Sequence, residues 1–511
     1  MTGAHPQEVE LKLALPPAQV GAFLKRMARR RAEPLEQELV TRYFDTPDFA
    51  LSARGVALRV RRSGRRWLQT LKTEGERSGG LSRRIEYEIA VTGGTLDWGR
   101  FPAEARAFVP EALRGCVVPV FETRFHRTAW LVRSRAGAQI EVALDVGEVV
   151  AGGRRQPLCE IELELKSGQA DALFALALDW AGDFGCLPFD VSKAERGVRL
   201  AHGLAAAPVK SAPIELDAEI SVEAGFAAIV QDCLAQFQGN LPALFDAGPT
   251  ALDDIEYVHQ ARVALRRLRA ALRLFRRVCA LPDELTAGLR ALATALGPAR
   301  DWDVLCAETL PAIAPHCPDA AAWQAGMAAL EARRAAVHAA MRAALAEAQP
   351  GAWLLAMQRW LQRQGWRAEA REAQRFAQGA RLDDWARLAL RRGHRRVARD
   401  ARRFAALEPA ERHALRIAIK RQRYAAEFFQ SLFVERPKRQ MRYLAVLRDA
   451  QDSLGCANDV CIARALLAAH ATGPGPMRDF ALGWLAAREV GVVDDAGAGH
   501  LRDFLALKPW W

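Results

Sequence analysis

Charged and apolar residues alternate in the first predicted strand of the chain. The segment from Glu8 to Leu13 reads Glu-Val-Glu-Leu-Lys-Leu and carries its charges on Glu8, Glu10 and Lys12. Because a strand sends residues i, i+2 and i+4 to one side, these charges share a face while the apolar residues point towards a core. Two carboxylates beside a lysine indicate a site that binds a metal ion and an anion.

Similar alternation recurs up to about residue 205, with acids and bases sorted onto different segments. The acidic rows contain Glu160, Glu162 and Glu164, Glu141 and Asp145, and Glu86 and Glu88, and the basic rows contain Arg59 and Arg61, Lys72, and Arg124 and Arg127. A single row of this kind usually belongs to a sheet with one face in water. Sorted charges over about eight short segments instead predict an antiparallel sheet or barrel with a charged interior.

Residues 6–205 resemble the CYTH domain, a branch of the triphosphate tunnel metalloenzymes. The Glu-x-Glu-x-Lys motif at Glu8 opens the resemblance. The later motifs, in family order, are Tyr43-Phe44-Asp45-Thr46-Pro47, Leu58-Arg59-Val60-Arg61, Thr70-Leu71-Lys72, Asp145, Glu160-x-Glu162-x-Glu164 and Ser192-Lys193-Ala194-Glu195-Arg196-Gly197. The resemblance implies an eight-stranded antiparallel β-barrel with a charged tunnel. It also implies metal-dependent hydrolysis of inorganic triphosphate to diphosphate and phosphate.

Residue roles follow from the resemblance and from the charge of the substrate. A triphosphate carries roughly four negative charges, which guanidinium groups pair with well. We assign triphosphate binding to Lys12, Arg59, Arg61, Lys72, Arg84, Arg127 and Lys193. We assign a divalent metal, Mg or Mn, to Glu8, Glu10, Asp145, Glu160, Glu162 and Glu164, and a catalytic role to Glu8, Glu10 and Lys12. The metal is expected to stabilise developing charge and to lower the pKa of the attacking water. The carboxylate that orients this water is left open.

Length and composition favour an intracellular protein of two domains. At 511 residues the chain exceeds the usual size of a single core, and its 26% of charged residues is ordinary for a globular protein. Nine cysteines without a Cys-x-x-Cys pair argue against a disulfide framework or a zinc ribbon. The N-terminus lacks the pattern of a secretory signal, and no long apolar run predicts a membrane span. We therefore expect a cytoplasmic protein.

A stretch rich in alanine and proline, residues 206–218, predicts a linker before an all-α region with an internal repeat. Basic stripes lie at His259, Arg262, Arg266, Arg269 and Arg273, and again at His413, Arg416, Lys420 and Arg423. Their spacing by three and four places each stripe along one face of a helix. The first stripe has no acid between residues 259 and 277. Such rows can be solvated faces, but like charges arranged in this way favour binding of an anion. Turns are predicted after the stripes, at Leu296–Asp301 and Leu454–Asp459.

Residues 219–505 resemble the CHAD domain, which is named for a conserved histidine in an α-helical domain. The resemblance rests on the two His-x-x-Arg helices and the Leu-Gly segments that follow them. It implies a duplicated helical bundle that binds inorganic polyphosphate through its basic stripes. The second stripe departs from the first because Lys420 replaces an arginine and Glu427 stands in the place of Arg273, which predicts weaker binding by the second copy.

Two other functions remain open. The chain could be a scaffold in which both domains bind polyphosphate without catalysis, although six carboxylates in an anion tunnel argue against pure binding. It could also be a triphosphatase or a cyclase that acts on an organic triphosphate. Nucleic acid is a less favoured partner, because few aromatic residues accompany the basic stripes.

Overall fold

The computed structural model describes residues 6–30, 32–245, 254–368, 370–470, 475–492 and 495–511. They form two compact units. The barrel unit extends up to Ala207 and also contains Gln349–Gln362, and the helical unit contains Pro208–Ala348 and Arg363–Trp511. A short helix from the middle of the chain therefore belongs to the barrel unit.

The barrel unit is built on one antiparallel sheet. Its strands are β1 (Gln7–Ala14), β2 (Leu35–Asp45), β3 (Val56–Ser63), β4 (Arg66–Thr73), β5 (Glu76–Ser78), β6 (Leu81–Val91), β7 (Val118–Arg133), β8 (Gln139–Ala151), β9 (Arg154–Ser167) and β10 (Leu187–Pro188). The order is β10-β1-β9-β8-β7-β2-β3-β4-β6-β5, and β1 also pairs with β6. That pairing closes eight strands into a barrel and leaves β5 and β10 as short additions. The predicted eight-stranded antiparallel barrel is confirmed.

Alternating side chains give the barrel an apolar outside and a charged inside. Leu11 and Leu13 of β1 are fully buried in an outer core that also contains Phe23 and Trp180. The helices of this unit are α1 (Val20–Ala28), α2 (Ala103–Arg106), α3 (Glu111–Arg114), α4 (Asp171–Phe184), α5 (Lys193–Ala201) and α12 (Pro350–Gln362). The hydrophobic core therefore lies between the barrel wall and its helices, and the bore is left for charged residues.

The helical unit contains the two basic stripes on separate helices. Its helices are α6 (Val222–Phe245), α7 (Asp254–Phe275), α8 (Asp283–Ala295), α9 (Gly297–Val304), α10 (Leu310–Ile313), α11 (Ala320–Glu347), α13 (Glu372–Gly379), α14 (Leu382–Ala401), α15 (Pro409–Phe428), α16 (Pro437–His470), α17 (Pro476–Val492) and α18 (Asp495–Leu505). Helix α7 carries the first stripe and α15 the second. Within the described ranges, no helix has the length and apolar character needed to cross a membrane.

One local prediction in this unit is wrong. The turn predicted at Leu454–Asp459 lies within the uninterrupted helix α16. A single glycine costs a helix about 1 kcal/mol relative to alanine, and Gly455 is flanked by residues that support a helix. The first Leu-Gly segment does interrupt the helical path, since α8 ends at Ala295 and α9 begins at Gly297.

The predicted linker and the predicted helical domain can both be compared with the structure. The chain forms no helix or strand from 204 to 217, where the linker was predicted. The predicted helical domain, 219–505, contains α12, which packs in the barrel unit. The assignment of domains to these intervals stays a prediction.

Candidate functional site

The register of the barrel strands brings the predicted charges face to face. Glu8 of β1 lies opposite Arg84 of β6, and Lys12 lies opposite Glu162 of β9. On the neighbouring strands, Arg127 lies opposite Asp145. Side chains directly opposite each other in antiparallel strands have Cβ atoms about 5 Å apart, so these residues can interact directly.

A cavity of about 920 Å³ occupies the bore of the barrel. Its lining includes these predicted site residues: Glu8, Glu10, Lys12, Arg59, Arg61, Lys72, Arg84, Arg127, Glu162, Glu164 and Lys193. The two remaining predicted ligands, Asp145 and Glu160, lie behind the lining and are at most 1% exposed. The structure therefore brings all the residues predicted for this site into one cluster.

A first group of ion pairs is centred on Glu8 and Arg84. Glu8 accepts hydrogen bonds from Lys72 at 2.9 Å and from Arg84 at 2.8 Å, and Arg84 also binds Glu10. Burial alone would raise the pKa of Glu8, but Lys72 and Arg84 hold it below its ordinary value. Lys72 also lies 3.1 Å from Glu86, whose pKa is raised by burial despite this lysine. Glu8 is therefore a stable anion, and Glu86 accepts a proton more readily.

A second group is centred on Lys193, the first residue of α5. Its ammonium donates to Asp145 at 2.7 Å and to Glu162 at 2.8 Å, and it also binds Glu160. Arg127 completes the group through two hydrogen bonds of 2.7 Å to Asp145. Although burial opposes ionisation, Arg127 and Lys193 hold the pKa of Asp145 below its ordinary value.

Lys12 joins these two groups of charges. Its ammonium lies 3.7 Å from Glu10 in the first group and 3.7 Å from Glu162 in the second. These distances exceed those of the hydrogen-bonded pairs, so the ammonium retains capacity for another acceptor. Lys12 thus stands at the middle of the site with a donor free for a ligand.

Arg61 differs from the other cations of the tunnel. Its Nε lies 3.4 Å from the hydroxyl of Thr41, which is a long hydrogen bond, and no carboxylate among the described residues forms an ion pair with it. Burial, together with Arg59 and Arg127, lowers the pKa of Arg61 to about 10. Arg61 is partly buried, and a guanidinium in such a place beside two others is unfavourable without a counter-charge. Arg61 is therefore a strong candidate for contact with an anionic ligand.

Local sequence explains how α5 places Lys193 in the barrel wall. Ser192 caps the helix by accepting a hydrogen bond of 3.1 Å from the amide of Glu195. Gly197 lets the helix approach the barrel, because a Cβ at this position would overlap the ring of Phe121. The cap and the glycine together place Lys193 at the start of the helix and against the acids.

The acidic residues have the donor chemistry that a divalent cation requires. Oxygen atoms of Asp145, Glu160 and Glu162 lie within 4.8 Å of one another, and carboxylate oxygens are the ligands that hard divalent cations prefer. The ammonium of Lys193 already binds all three of these acids. A cation at this position would compete with Lys193, whereas the acids on β1 face the cavity directly.

Several lining residues were not assigned from sequence. They are Arg77, Glu86, Glu88, Glu141, Lys166 and Glu195. Glu86 and Glu88 follow Arg84 at a spacing of two, so the alternation of the strand places them on the same face as Arg84. The same pattern could therefore have assigned both acids to the tunnel site. Arg77 lies on the short strand β5, whose three residues give no periodic signal.

In the helical unit, α7 and α15 contribute to one basic cavity of about 660 Å³. Its basic lining residues are Arg266, Arg269, Arg273, Arg276, Arg290, Lys420 and Arg421, and the described part of the chain contributes no acid to the lining. Burial, reinforced by Arg416 and Arg266, lowers the pKa of Lys420 to about 8. The Nε atoms of Arg266 and Arg416 are buried without a hydrogen-bond partner among the described residues. This surface has the positive charge needed to bind an anion.

The two stripes are not equivalent. His259 is partly buried, and burial together with Arg300 lowers its pKa, whereas His413 is exposed. Arg262 lies 4.0 Å from Asp301, and Arg423 binds Glu427 within its own helix. Intrahelical pairing with Glu427 reduces the charge that the second stripe can offer to a ligand.

Comparisons with known proteins give one family match over the barrel strands and another over the helices that follow them. Residues 6–198 match the family model of the CYTH domain, and residues 228–468 match that of the CHAD domain. The chain is 37% identical over 206 residues to an inorganic triphosphatase of Haemophilus influenzae, a match that covers 38% of this chain. The chain spans 55% of the length of that relative. It is also similar to the crystal structure of the CHAD domain of the plant Ricinus communis, at 32% identity and a TM-score of 0.50, covering 60% of this chain and 98% of that one.

Proposed function

Because this chain belongs to the CHAD family and carries a CYTH domain at residues 6–198, we propose that its barrel hydrolyses inorganic triphosphate to diphosphate and phosphate. The observation that carries the proposal is the tunnel itself, in which carboxylates and cations line one cavity. A pure anion-binding site has no need of acids, since they repel the ligand. The inorganic triphosphatase activity named for the Haemophilus influenzae relative supports the same reaction.

The cations of the tunnel bind and orient the triphosphate. Arg61 and Lys12 have capacity for phosphate oxygens, and Arg59 and Arg127 lie beside Arg61. Arginine can pair with two phosphate oxygens at once, which fixes the orientation of the phosphate chain. The other three cations form short ion pairs with the acids of the tunnel; they are Lys72, Arg84 and Lys193. They hold these acids in place and also contribute positive charge.

The acids of β1 and β9 that line the cavity are proposed to hold the divalent metal, Mg or Mn; they are Glu8, Glu10, Glu162 and Glu164. When bound, this metal stabilises charge on the transferred phosphoryl group and lowers the pKa of the attacking water. Glu86 has a raised pKa and faces the cavity, which makes it a candidate for orienting the water. The exclusion of Asp145 and Glu160 from the cavity lining gives them a supporting role through Lys193.

The test is phosphate release by the purified full chain from inorganic triphosphate, ATP and thiamine triphosphate, with and without magnesium or manganese. Metal-dependent release from inorganic triphosphate in preference to the others is the expected result. Release mainly from an organic triphosphate would redirect the proposal to that class, and formation of a cyclic nucleotide from ATP would identify a cyclase. No release from any of them, with phosphate chains still bound, would favour the scaffold.

For the helical unit we propose binding of inorganic polyphosphate by the two stripes. A row of phosphates at short, regular intervals matches a surface whose described lining has seven basic residues and no acid. Calorimetry with a polyphosphate of defined length should show binding that is weakened by Arg266→Ala. Arg333→Ala is the matched control, because Arg333 is an exposed arginine on α11. Equal binding of single-stranded nucleic acid would contradict a preference for polyphosphate.

A further inference from the structure

Helix α12 is part of the barrel unit although its sequence lies inside the interval matched by the CHAD family model. The chain enters α12 from Ala348 and leaves it through Arg363, and both residues belong to the helical unit. A helix that is read from sequence as part of one domain thus packs as part of the other. This raises the question of what α12 contributes to the tunnel.

The packing of α12 against the barrel unit is extensive and specific. Leu355 is fully buried in the outer core of the barrel. Arg359 donates two hydrogen bonds to Asp171 at 2.7 and 2.8 Å. Gly351 lies against the carbonyl oxygen of Cys186, where a Cβ would overlap that oxygen. Apolar burial, a bidentate ion pair and a close backbone approach together fix the helix in one position.

Gln358 of α12 supports the turn between β5 and β6. Its side chain is fully buried, and its Oε1 accepts a hydrogen bond of 2.9 Å from the hydroxyl of Ser78. It also packs directly on Gly79, where a Cβ would overlap the Gln358 side chain. The tip of this turn consists of Gly79 and Gly80, which have no side chains that could stabilise it. The side chain of Gln358 stabilises the turn instead.

This turn is connected to the tunnel on both sides. The amide of Lys12 donates a hydrogen bond of 2.8 Å to the carbonyl of Gly80, and the amide of Gly80 donates to Asp190 at 2.7 Å. Arg77, which precedes Ser78, lines the cavity and lies 3.2 Å from Glu195. The turn therefore holds the backbone of Lys12 and carries Arg77 to the tunnel.

Both ends of α12 are marked by unusual backbone geometry. Gln349 and Gln364 have φ angles of 47° and 50°, and Phe49 is the other non-glycine residue with positive φ in the described part of the chain. Side chains with a Cβ seldom adopt this conformation unless the surrounding structure imposes it. The positive φ angles of Gln349 and Gln364, on either side of α12, indicate that the contacts of α12 with the barrel determine the path of the chain here.

We propose that Gln358 is a positioning residue of the tunnel, acting through Ser78 and Gly79 on Arg77 and Lys12. The inference rests on the proposed triphosphatase function. Under this proposal, activity in the barrel requires helix α12, whose sequence lies within the interval matched by the CHAD family model. The substrate of the tunnel is bound by the residues of the barrel, and Gln358 fixes where two of its cations stand.

The test uses the full chain with three substitutions on α12. Gln358→Met keeps the side-chain length but removes the hydrogen bond with Ser78, and Gln358→Ala also removes the packing on Gly79. Gln362→Ala is the matched control, because Gln362 is an exposed glutamine on the same helix. We expect a rise of about tenfold in KM for Gln358→Ala, a smaller rise for Gln358→Met and no change for Gln362→Ala.

A double-mutant cycle separates positioning from general loss of structure. If part of the effect of Gln358 passes through Arg77, then Gln358→Ala should raise KM less in an Arg77→Ala background than in the wild type, and the remaining effect is the part that passes through Lys12. Additive effects, or an unchanged KM in Gln358→Ala, would overturn the proposal. If Gln358→Ala fails to fold, Gln358→Met takes its place in the cycle, because the side chain of methionine has a volume close to that of glutamine.

Hydrogen exchange gives a readout that does not depend on catalysis. The amide of Lys12 should exchange at least tenfold faster in Gln358→Ala than in Gln362→Ala, because its acceptor is the carbonyl of Gly80. If the wild-type chain hydrolyses no triphosphate, the proposed function fails while this exchange measurement still decides the role of Gln358. Equal exchange in the two variants would show that Gln358 does not hold the turn.

Discussion

The ammonium of Lys193 lies 2.7 Å from Oδ2 of Asp145, and neither side chain is more than 6% exposed. Lys193 is the first residue of α5, and Asp145 lies in the middle of β8. Glu160 and Glu162 of β9 bind the same ammonium. One lysine thus ties a helix to two strands and neutralises acids that would otherwise repel one another.

Replacing Lys193 should therefore affect stability as well as activity. In Lys193→Met, the buried Asp145 and Glu160 and the partly buried Glu162 lose their shared partner, and breaking a buried ion pair in this way costs about 3–5 kcal/mol. We expect a decrease of that size in the free energy of unfolding, measured with urea. Lys166→Met is the control, because Lys166 pairs with Glu164 but is 36% exposed, and its loss should cost less than about 1 kcal/mol. Equal stability of the two variants would contradict the role given to Lys193.

Substitution of Arg61 should weaken the binding of triphosphate without destabilising the barrel. Arg61 lies beside Arg59 and Arg127, and its pKa is lowered to about 10 by burial and by these neighbours. Loss of hydrogen bonds to a charged ligand costs about 1.5–3 kcal/mol, so KM for Arg61→Ala should rise about 10- to 100-fold. Arg62→Ala, on the exposed side of the same strand, should leave KM unchanged. An unchanged KM in Arg61→Ala would remove it from the binding site.

The carboxylates of β1 should be required for hydrolysis but not for binding. In Glu8→Gln or Glu10→Gln, we expect phosphate release to fall by at least ~100-fold, because the metal loses a charged ligand. Removal of Glu8 frees Lys72 and Arg84, so the affinity for triphosphate in calorimetry should be kept or increased. Removal of metal from the wild type with a chelator should reproduce the loss. Retained hydrolysis in both variants would contradict the metal assignment.

Polyphosphate binding by the helical unit should depend on pH near 8. Burial, Arg416 and Arg266 lower the pKa of Lys420 to about 8, and a lysine is cationic below its pKa. Affinity should therefore decrease as pH rises through about 8, at constant ionic strength. Lys420→Arg keeps its charge over this range, so its affinity should vary little with pH. A wild-type pH profile that matches that of Lys420→Arg would exclude Lys420 from binding.

Much of the tunnel could be predicted because strand alternation is a local property. Glu8, Glu10 and Lys12 have to share a face in any strand. The register of β1 with β6 and β9 then places Glu8 opposite Arg84 and Lys12 opposite Glu162. The stripes of α7 and α15 were predictable for the same reason, since the period of a helix determines the face on which each residue lies. The cavity between these stripes, with Arg276 and Arg290 in its lining, depends on how the helices pack.

Other features could not be read from local patterns. The sequence assigned Asp145 and Glu160 to the metal, and this stays a prediction, but it gave no indication that both lie outside the cavity lining and bind the ammonium of Lys193. Arg77 and Gln358 gave no signal, since the role of each depends on a partner more than a hundred residues away.

The amino-acid sequence by itself determined the sorted faces of the strands, the basic stripes of the helices and the two families to which they are similar. These properties follow from the periods of the strand and the helix, which act over a few residues. Only the tertiary structure decided which acids reach the cavity, that Arg61 has no ion pair with a carboxylate of the described residues, and to which unit α12 belongs. Those outcomes depend on burial and on contacts between distant segments, where the low dielectric of the interior makes each charge depend on its nearest partner.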